Sequence, residues 1–206
     1  SVKVCDASEF YEYNYEKKTL YIVLSQSGET KDVHRAMEII KKKGGDVLSI
    51  VNVVESLIAR DALCGVYINA GSEKAVASTK SFTNQVIVLA LVAMWWYKNS
   101  KSVETNEYRD KLFNNLRDDL LELPGTIRKT IDMSLLQVES ITEQIYKDKN
   151  MFLLGRGLLY PIALEGALKI KEVSYIHAEG FCGGALKHGP FALIEEGTPI
   201  FIPVSY

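Results

Sequence analysis

The chain has 206 residues, of which 47% are hydrophobic and 24% are charged, a composition typical of a globular protein with one large domain or two small ones. Its formal net charge of −2 at pH 7 excludes binding of nucleic acid through a broad cationic field, so a small anionic ligand would need a local site. Its three cysteines, Cys5, Cys64 and Cys182, have neither paired nor zinc-ligand spacing. We therefore expect no disulfide framework, no metal site and a reducing compartment, the cytoplasm.

The first half of the chain alternates strands and helices. Short apolar runs predict strands at Lys18–Leu24, Asp46–Val53 and Gly65–Ile68, and Val2–Cys5 leaves room for a short strand ahead of them. An amphipathic helix precedes the second of these strands and ends at Lys43–Gly45, where cations and glycines stand in the order of a helix C-terminus. This alternation predicts a parallel sheet with right-handed crossovers.

A long apolar helix is predicted at Ala75–Tyr97. Its most apolar part, Val86–Trp96, is too short to span a bilayer, so we expect no membrane association. The run is typical of a buried helix, and the aromatic end Trp95–Tyr97 leaves a subunit contact as the alternative. The polar stretch Lys98–Thr105 then predicts a linker.

The second half returns to the same alternation. Asn106–Lys147 is predicted to be helical in several pieces, broken at Pro124-Gly125. A strand at Asn150–Leu154, a glycine turn and a helix through Ile176 follow, and Pro199–Val204 predicts a last strand.

The two halves therefore share one plan, a strand, a polar or glycine turn, and a helix. We predict an α/β protein with a first domain at 1–103, a helical linker at 104–135 and a second domain at 136–206. Each half lacks elements that the plan requires. We expect both domains to be truncated and the chain to be a piece of a longer polypeptide.

A polar loop, Ser25–Thr30, follows the first predicted strand and leads into a helix. Its hydroxyls and amide stand at the carboxyl end of a parallel strand, where open sheets bind ligands, next to a helix N-terminus that attracts anions. A phosphate cradle is the functional interpretation. The alternative is a capping turn in which Thr30 or Ser27 only finishes the helix.

A cluster of proton-transfer groups is predicted in the second half. Glu165, Lys169 and Glu172 share one side of a helix, and His188 follows before a Gly-Pro turn. Carboxylates, an amine and an imidazole can move protons in both directions near neutral pH, which suits carbonyl chemistry on a sugar. A solvated charged face is the alternative, and His177 is expected to be structural.

Other ligand motifs are weak or absent. No Walker loop is present, and Gly155-Arg156-Gly157 begins like a dinucleotide fingerprint but has Tyr160 where the third glycine belongs. Ser78, near the start of the long helix, could bind a sugar hydroxyl or only cap the helix. We expect no cofactor.

Six motifs together are similar to those of a known enzyme family. They are Ser25–Thr30, Asn69–Gly71, Val76–Lys80, Gly155–Gly157, Ala163–Glu179 and Leu186–Pro190. Over nearly its whole length the chain resembles the isomerase region of glutamine–fructose-6-phosphate aminotransferases, the glucosamine-6-phosphate synthases. The resemblance implies two flavodoxin-like SIS domains, fructose 6-phosphate as substrate and glucosamine 6-phosphate as product, at the entry to UDP-N-acetylglucosamine synthesis.

The resemblance also implies roles for individual residues. Phosphate ligands are implied at Ser25, Gln26, Ser27 and Thr30, and sugar contacts at Val76 and Ser78. Glu172 is implied as the base that moves a proton between C1 and C2, with Lys169 as its helper and Glu165 as an orienting group. His188 is implied to open the sugar ring from a neighbouring subunit, so a homodimer is expected.

The chain departs from the family pattern in several places. Ala185 stands where the family usually has glutamate, Glu55 where it usually has glycine, and Ser72–Lys74 differs from the usual stretch. The family's glutaminase domain, expected as a partner on the same polypeptide, and its C-terminal tail are not among the 206 residues. We therefore expect this piece alone to be inactive.

Two alternatives stay open at this point. One is a non-catalytic SIS module that binds a sugar phosphate or a partner, which has no need of Glu172, Lys169 and His188. The other is a phosphosugar isomerase or deglycase that works without a glutaminase.

Overall fold

The computed structural model describes residues 2–100 and 106–205. The described chain is an α/β protein with parallel sheets flanked by helices, which confirms the predicted fold class. Its strands are β1 (Leu20–Ser25), β2 (Asp46–Val51), β3 (Cys64–Tyr67), β4 (Asn150–Gly155), β5 (His177–Cys182) and β6 (Ile200–Phe201). Its helices are α1 (Lys31–Lys42), α2 (Leu57–Asp61), α3 (Lys80–Asn99), α4 (Glu107–Ile145) and α5 (Leu159–Ser174).

The chain divides into two compact units. The first consists of Ser1–Lys74 with Ser78–Asn114, and the second of Ala75–Ala77 with Asn115–Tyr206. The domain boundaries read from the sequence stay predictions. Of the predicted polar linker, residues 101–105 lie outside the described residues.

The first sheet has the strand order β1-β2-β3, with all pairs parallel. In β2, Val47 and Val51 join the core under α1 and α2, whereas Ile50 packs with Ile68 and Val88 on the other face. This period-two division is that of a strand covered on both faces. No strand forms at Val2–Cys5, which is irregular.

Helix α1 is held on the sheet by a regular apolar stripe. Val33, Ala36, Met37 and Ile40 are buried at intervals of three and four residues. The helix ends as predicted: Gly44, with φ of 77°, donates to the Lys41 carbonyl, and the N–H of Gly45 reaches back to Ile40. Because α1 begins directly after the Ser25–Thr30 loop, its packing fixes the far end of that loop.

Helix α3 differs from the prediction in its start and in its burial. It begins at Lys80 rather than at Ala75, and Val76–Thr79 is irregular. Its apolar half is buried on one side only: Val88 packs in the core, whereas Val86, Leu91 and Trp95 are all about half exposed or more. An apolar run predicts a buried helix, but it does not show which of its side chains the rest of the chain covers. Within residues 2–100 and 106–205, none of the helices combines the length and apolarity needed to cross a membrane.

Helix α4 runs unbroken through Pro124, so the predicted break there is wrong. A proline removes one backbone hydrogen bond and crowds the preceding turn, but long helical flanks can carry the axis past it. Near the proline, the hydroxyls of Thr126 and Thr130 donate to the carbonyls of Glu122 and Thr126.

The second sheet has the order β5-β4-β6, again with parallel pairs. Met151, Leu153 and Ala178 pack there against Ala163 and Ala167 of α5. Strand β5 is missing from the sequence prediction, which places a glycine-rich turn after a helix through Ile176. The helix instead ends at Ser174, and Tyr175 takes a left-handed conformation with φ of 60°.

Candidate functional site

The Ser25–Thr30 loop is a compact structure held by its own hydroxyls. Ser25, 5% exposed at the end of β1, accepts a hydrogen bond from the N–H of Gly28 at 3.0 Å. The Ser27 hydroxyl accepts from the N–H of Glu29 at 3.2 Å. These bonds fold the loop over the carboxyl end of the first sheet, ahead of the first turn of α1.

The loop does not behave as a simple capping turn. Thr30 is the N-cap residue of α1, but it makes no side-chain capping bond. Its hydroxyl instead pairs with that of Ser25 at 2.8 Å. The first N–H groups of a helix are unsatisfied by the helix itself and attract anions. This arrangement favours the phosphate cradle over the capping alternative.

Gly28 is required by the conformation of the loop. Its φ is +67°, and a β-carbon added there would lie 1.9 Å from Oγ of Ser56. Ser56 is 3% exposed, and its Oγ lacks a hydrogen-bond partner among the described atoms. The sequence offers no signal for this contact, because Ser56 is distant in sequence and an isolated serine is common.

The predicted sugar contacts precede α3. Val76 is 95% exposed and Ser78 is partly exposed, and both lie in the irregular stretch before Lys80. Below Ser78, buried Ser81 donates its hydroxyl to Glu73 at 2.8 Å and its N–H at 3.2 Å. The hydroxyl bond first, and then the backbone bonds, lower the pKa of Glu73 against a smaller effect of desolvation. Glu73 thereby anchors the start of α3.

The three charged residues predicted on α5 do come together. Nζ of Lys169 lies 2.6 Å from Oε2 of Glu172 and 3.5 Å from Oε1 of Glu165. All three side chains are between 22% and 29% exposed. A solvated face would leave such side chains extended into water, so this half-buried cluster favours a site over a merely charged surface.

The cluster keeps its lysine positively charged. Desolvation alone would lower the pKa of Lys169, but the hydrogen bond to Glu172 and the charges of Glu165 and Glu172 together outweigh it, so the pKa is raised above the ordinary value of 10.5. At neutral pH Lys169 is therefore an ammonium that donates hydrogen bonds and is not a general base. A carboxylate is left as the group that can accept a proton.

The histidines stand apart from this cluster. His188 is exposed on the single helical turn Leu186–His188, ahead of Gly189 with φ of 150°. Among the described residues it makes no hydrogen bond or ion pair with Glu165, Lys169 or Glu172. His177, expected to be structural, pairs with Glu179 at 3.3 Å. Across the described ranges, no three His, Cys, Asp or Glu side chains gather as a metal site would need.

Comparison with known proteins identifies the family. The SIS domain family matches residues 1–95 and 144–205. The chain belongs to the SIS domain family. The SIS match covers both sheets and both candidate clusters, the Ser25–Thr30 loop and the charged face of α5.

Three relatives place this SIS chain more narrowly. It is 45% identical over 203 residues to a glutamine–fructose-6-phosphate aminotransferase (isomerizing) of Chlorobaculum tepidum, covering 98% of this chain and 32% of that protein. The C-terminal domain of the Francisella tularensis glucosamine–fructose-6-phosphate aminotransferase superposes with a TM-score of 0.79 at 36% identity, covering 95% of this chain and 54% of that one. A Thermotoga maritima glucosamine-6-phosphate deaminase superposes with a TM-score of 0.76 at 25% identity, covering 95% of this chain and 56% of that one. The chain thus spans about a third of the curated relative.

Proposed function

We propose that the chain is the isomerase region of an enzyme that converts fructose 6-phosphate and glutamine-derived ammonia into glucosamine 6-phosphate. The identity to isomerizing aminotransferases over nearly the whole chain supports this assignment. In this proposal a glutaminase domain of the same polypeptide supplies the ammonia, and the enzyme is a cytoplasmic homodimer in the hexosamine pathway. Three free cysteines are in keeping with a reducing compartment.

The phosphate end of the sugar binds at the Ser25–Thr30 loop. Ser25, Ser27 and Thr30 contribute hydroxyls, Gln26 contributes its amide, and the N-terminus of α1 contributes its dipole. Val76 and Ser78 contact the sugar chain. The phosphate takes no part in bond making, but its binding energy holds the reacting carbons in place.

The carbonyl end requires proton transfers. The ring of fructose 6-phosphate opens with the help of His188 from the neighbouring subunit acting as general acid and base. Ammonia adds to C2, and loss of water gives an imine. Glu172 then removes a proton from C1 and returns it to C2, while the C1 hydroxyl loses its proton to become an aldehyde and the imine nitrogen gains one to become an amine. Lys169 and Glu165 hold the Glu172 carboxylate in position.

One contact carries the catalytic part of the proposal, the 2.6 Å bond between Nζ of Lys169 and Oε2 of Glu172. A permanent ammonium orients the carboxylate and leaves its second oxygen available to a substrate. A sugar-phosphate sensor has no use for such a pair, which is why the pair favours an enzyme over a binding module.

Replacement of Glu172 tests the proposal. In the full-length gene product, Glu172→Gln keeps the shape and the bond to Lys169 but cannot accept a proton. We expect formation of glucosamine 6-phosphate to fall by about 100-fold or more, as is usual when a general base is lost. The Kd for fructose 6-phosphate, measured by calorimetry, should change by less than about threefold.

Glu143→Gln is the matched control, since Glu143 is an exposed glutamate on α4. It should leave both quantities unchanged. Full turnover in Glu172→Gln would contradict the assigned base and would favour the non-catalytic SIS module.

A glutaminase-independent enzyme is the second candidate, favoured by the likeness to the Thermotoga maritima glucosamine-6-phosphate deaminase. Assays of the full-length protein with glutamine and with ammonium as nitrogen donor separate the two. Product with glutamine supports the aminotransferase. Conversion of glucosamine 6-phosphate or a ketose phosphate with no response to glutamine supports the second candidate.

A further inference from the structure

Three loops leave the first sheet at the same edge. The parallel register sets Ser25 beside Val51 and Val51 beside Tyr67. The Ser25–Thr30 loop, the segment that begins at Asn52 and the turn Asn69–Gly71 therefore start side by side. Only the first of these carries the predicted phosphate ligands, and the last leads toward Ser78 and α3.

Asn52 contacts both outer loops from the middle strand. Its N–H donates to the carbonyl of Gln26 at 3.3 Å. Its side chain donates to the carbonyl of Gly71 at 2.7 Å and accepts from the N–H of Ala70 at 2.9 Å. One residue thus bonds to the phosphate loop through its backbone and to the Asn69–Gly71 turn through both ends of its amide.

The turn that Asn52 holds has an unusual backbone. Asn69 and Gly71 both take left-handed conformations, with φ of 50° and 70°. Asparagine and glycine are the residues that adopt this region most readily, so the sequence Asn-Ala-Gly suits the turn. The two side-chain bonds from Asn52 fall on Ala70 and Gly71, within this turn, and hold it against the end of β2.

We propose that Asn52 is a positioning residue that fixes the phosphate loop and the turn leading to the sugar-contact segment in one arrangement. The assignment rests on the proposed function. Asn52 touches no reacting atom, and it acts through Gln26 on one side and Ala70-Gly71 on the other. Because the phosphate is bound alike in the ground state and the transition state, loss of Asn52 should weaken both, and it should raise Kd and KM far more than it lowers kcat.

An amide is needed at position 52 because one end donates a hydrogen bond and the other accepts one. Aspartate could still accept from Ala70, but it would set a carboxylate oxygen against the carbonyl of Gly71 where a donor is needed. Asn52→Asp should therefore be as harmful as Asn52→Ala or worse, although it is nearly identical in shape.

Asn84 supplies a matched control. It lies on α3 and donates its amide to the carbonyl of Ile68 at 3.1 Å, one residue before the same turn, but it does not bond to the turn or to the phosphate loop. Asn84→Ala and Asn84→Asp should cost similar stability. A merely structural role for Asn52 would make the two pairs of variants alike in binding.

The main measurement is binding and turnover in the full-length protein. For Asn52→Asp and Asn52→Ala we expect the Kd and KM for fructose 6-phosphate to rise about tenfold, with kcat within about threefold of wild type. The Asn84 variants should keep Kd and KM within about threefold. Equal effects at the two positions, or a loss confined to kcat, would overturn the proposal.

Amide hydrogen exchange without ligand separates this proposal from the proposed function. Asn52→Ala removes both side-chain bonds to the turn but keeps the backbone N–H that donates to Gln26. It should therefore speed exchange most in the 69–71 turn and, through the released backbone at position 52, to a smaller extent in the 25–30 loop, whereas Asn84→Ala should leave the 25–30 loop unchanged. If exchange is faster in the 25–30 loop and the 69–71 turn of Asn52→Ala but the wild type does not bind fructose 6-phosphate, only the proposed function is contradicted. Unchanged exchange at 25–30 in Asn52→Ala would sink the positioning role.

Discussion

At the residue scale, the Ser25–Thr30 loop depends on one position without a side chain. Gly28 combines a left-handed backbone with close contact to buried Ser56, and its carbonyl accepts from the N–H of Ile58 at 2.9 Å. The loop is therefore held from below by the start of α2 as well as by its own hydroxyls. Any β-carbon at position 28 must push the loop away from this support.

We expect Gly28→Ala to lower the free energy of unfolding by about 2 kcal/mol or more, because backbone strain and a steric clash add. Urea unfolding measures the loss, and calorimetry with fructose 6-phosphate measures the accompanying loss of affinity. Gly44→Ala is the control for strain alone, since Gly44 has φ of 77° and nothing within 4 Å of an added β-carbon.

The clash can be removed separately from the strain. The double variant Gly28→Ala with Ser56→Gly should lose the steric clash and keep the backbone strain. Its free energy of unfolding should therefore be lowered by about as much as in Gly44→Ala. If Gly28→Ala alone costs no more than Gly44→Ala, the contact with Ser56 does not constrain the loop.

At the element scale, the connection between β2 and α2 stores strain at Glu55. Its φ is +59°, a conformation that is costly for any residue with a β-carbon. This is the position where the resemblance noted in the sequence leads one to expect glycine. The N–H of Glu55 lies 3.4 Å from the hydroxyl of Tyr67, a weak bond that does little to offset the strain.

We expect Glu55→Gly to raise the free energy of unfolding by about 0.5–1 kcal/mol, the relief of strain less the added entropy of the unfolded glycine. The midpoint of urea unfolding checks this value. Glu38→Gly, at an exposed site inside α1, should have the opposite effect and destabilise by about 1 kcal/mol. Destabilisation by both substitutions would show that the left-handed conformation at 55 carries no strain.

Some elements could be predicted from the sequence and others could not, for physical reasons. Helix α1 has an uninterrupted apolar stripe and a glycine end, both local signals. Strand β5 has neither: its sequence His-Ala-Glu-Gly-Phe-Cys is short of apolar residues. A β-carbon at Gly180 would lie 2.8 Å from Cα of Leu164, so only glycine allows α5 to pack this closely on the strand. Such long-range packing leaves no periodic trace.

The candidate site divides in the same way. Glu165, Lys169 and Glu172 could be grouped because helical spacing is a local rule. The Ser25–Thr30 loop could be located because polar residues follow a predicted strand. Asn52 and Ser56 could not be located in this way, because their contacts form between loops that meet only when three strands pair. Contacts between distant loops are harder to predict from a sequence than groups that share one face of a helix.

At the scale of the whole molecule, each unit has its own core, so the chain need not unfold in one step. Both tryptophans, Trp95 and Trp96, lie in the first unit. Their fluorescence reports on that unit during unfolding of the 206-residue chain. Tryptophan fluorescence can therefore measure how a substitution changes the stability of the first unit.

An ion-pair network joins the two helices on one face of the first unit. Oδ2 of Asp61, at the end of α2, lies 2.6 Å from Nε2 of His34 on α1. Nζ of Lys41, also on α1, donates to the Asp61 carbonyl at 2.9 Å and lies 3.8 Å from its carboxylate. The bond from His34 first, and then the charge of Lys41, lower the pKa of Asp61 below its ordinary value of 3.8 against desolvation.

A lowered pKa in the folded state fixes the sign of the pH dependence. The ionised carboxylate is favoured in the folded chain, so its contribution to stability is complete above the pKa of the unfolded chain and disappears as the pH falls through the folded value. Asp61→Asn should therefore lower the Tm at about pH 6, and the difference from wild type should shrink as the pH falls below about 3.8.

His34→Gln identifies the cause of this dependence. If the bond from His34 is the main contributor, Asp61→Asn should cost less at about pH 6 in the His34→Gln background than in the wild type, and the double-mutant cycle gives the coupling directly. A Tm difference that is the same at every pH, or two substitutions whose costs simply add, would mean that the Asp61 carboxylate does not help to join α1 and α2, which are then held by apolar contacts and by the bond from Lys41 to the Asp61 carbonyl. Met37 and Ile58, both fully buried in the same core, would then carry the apolar contact.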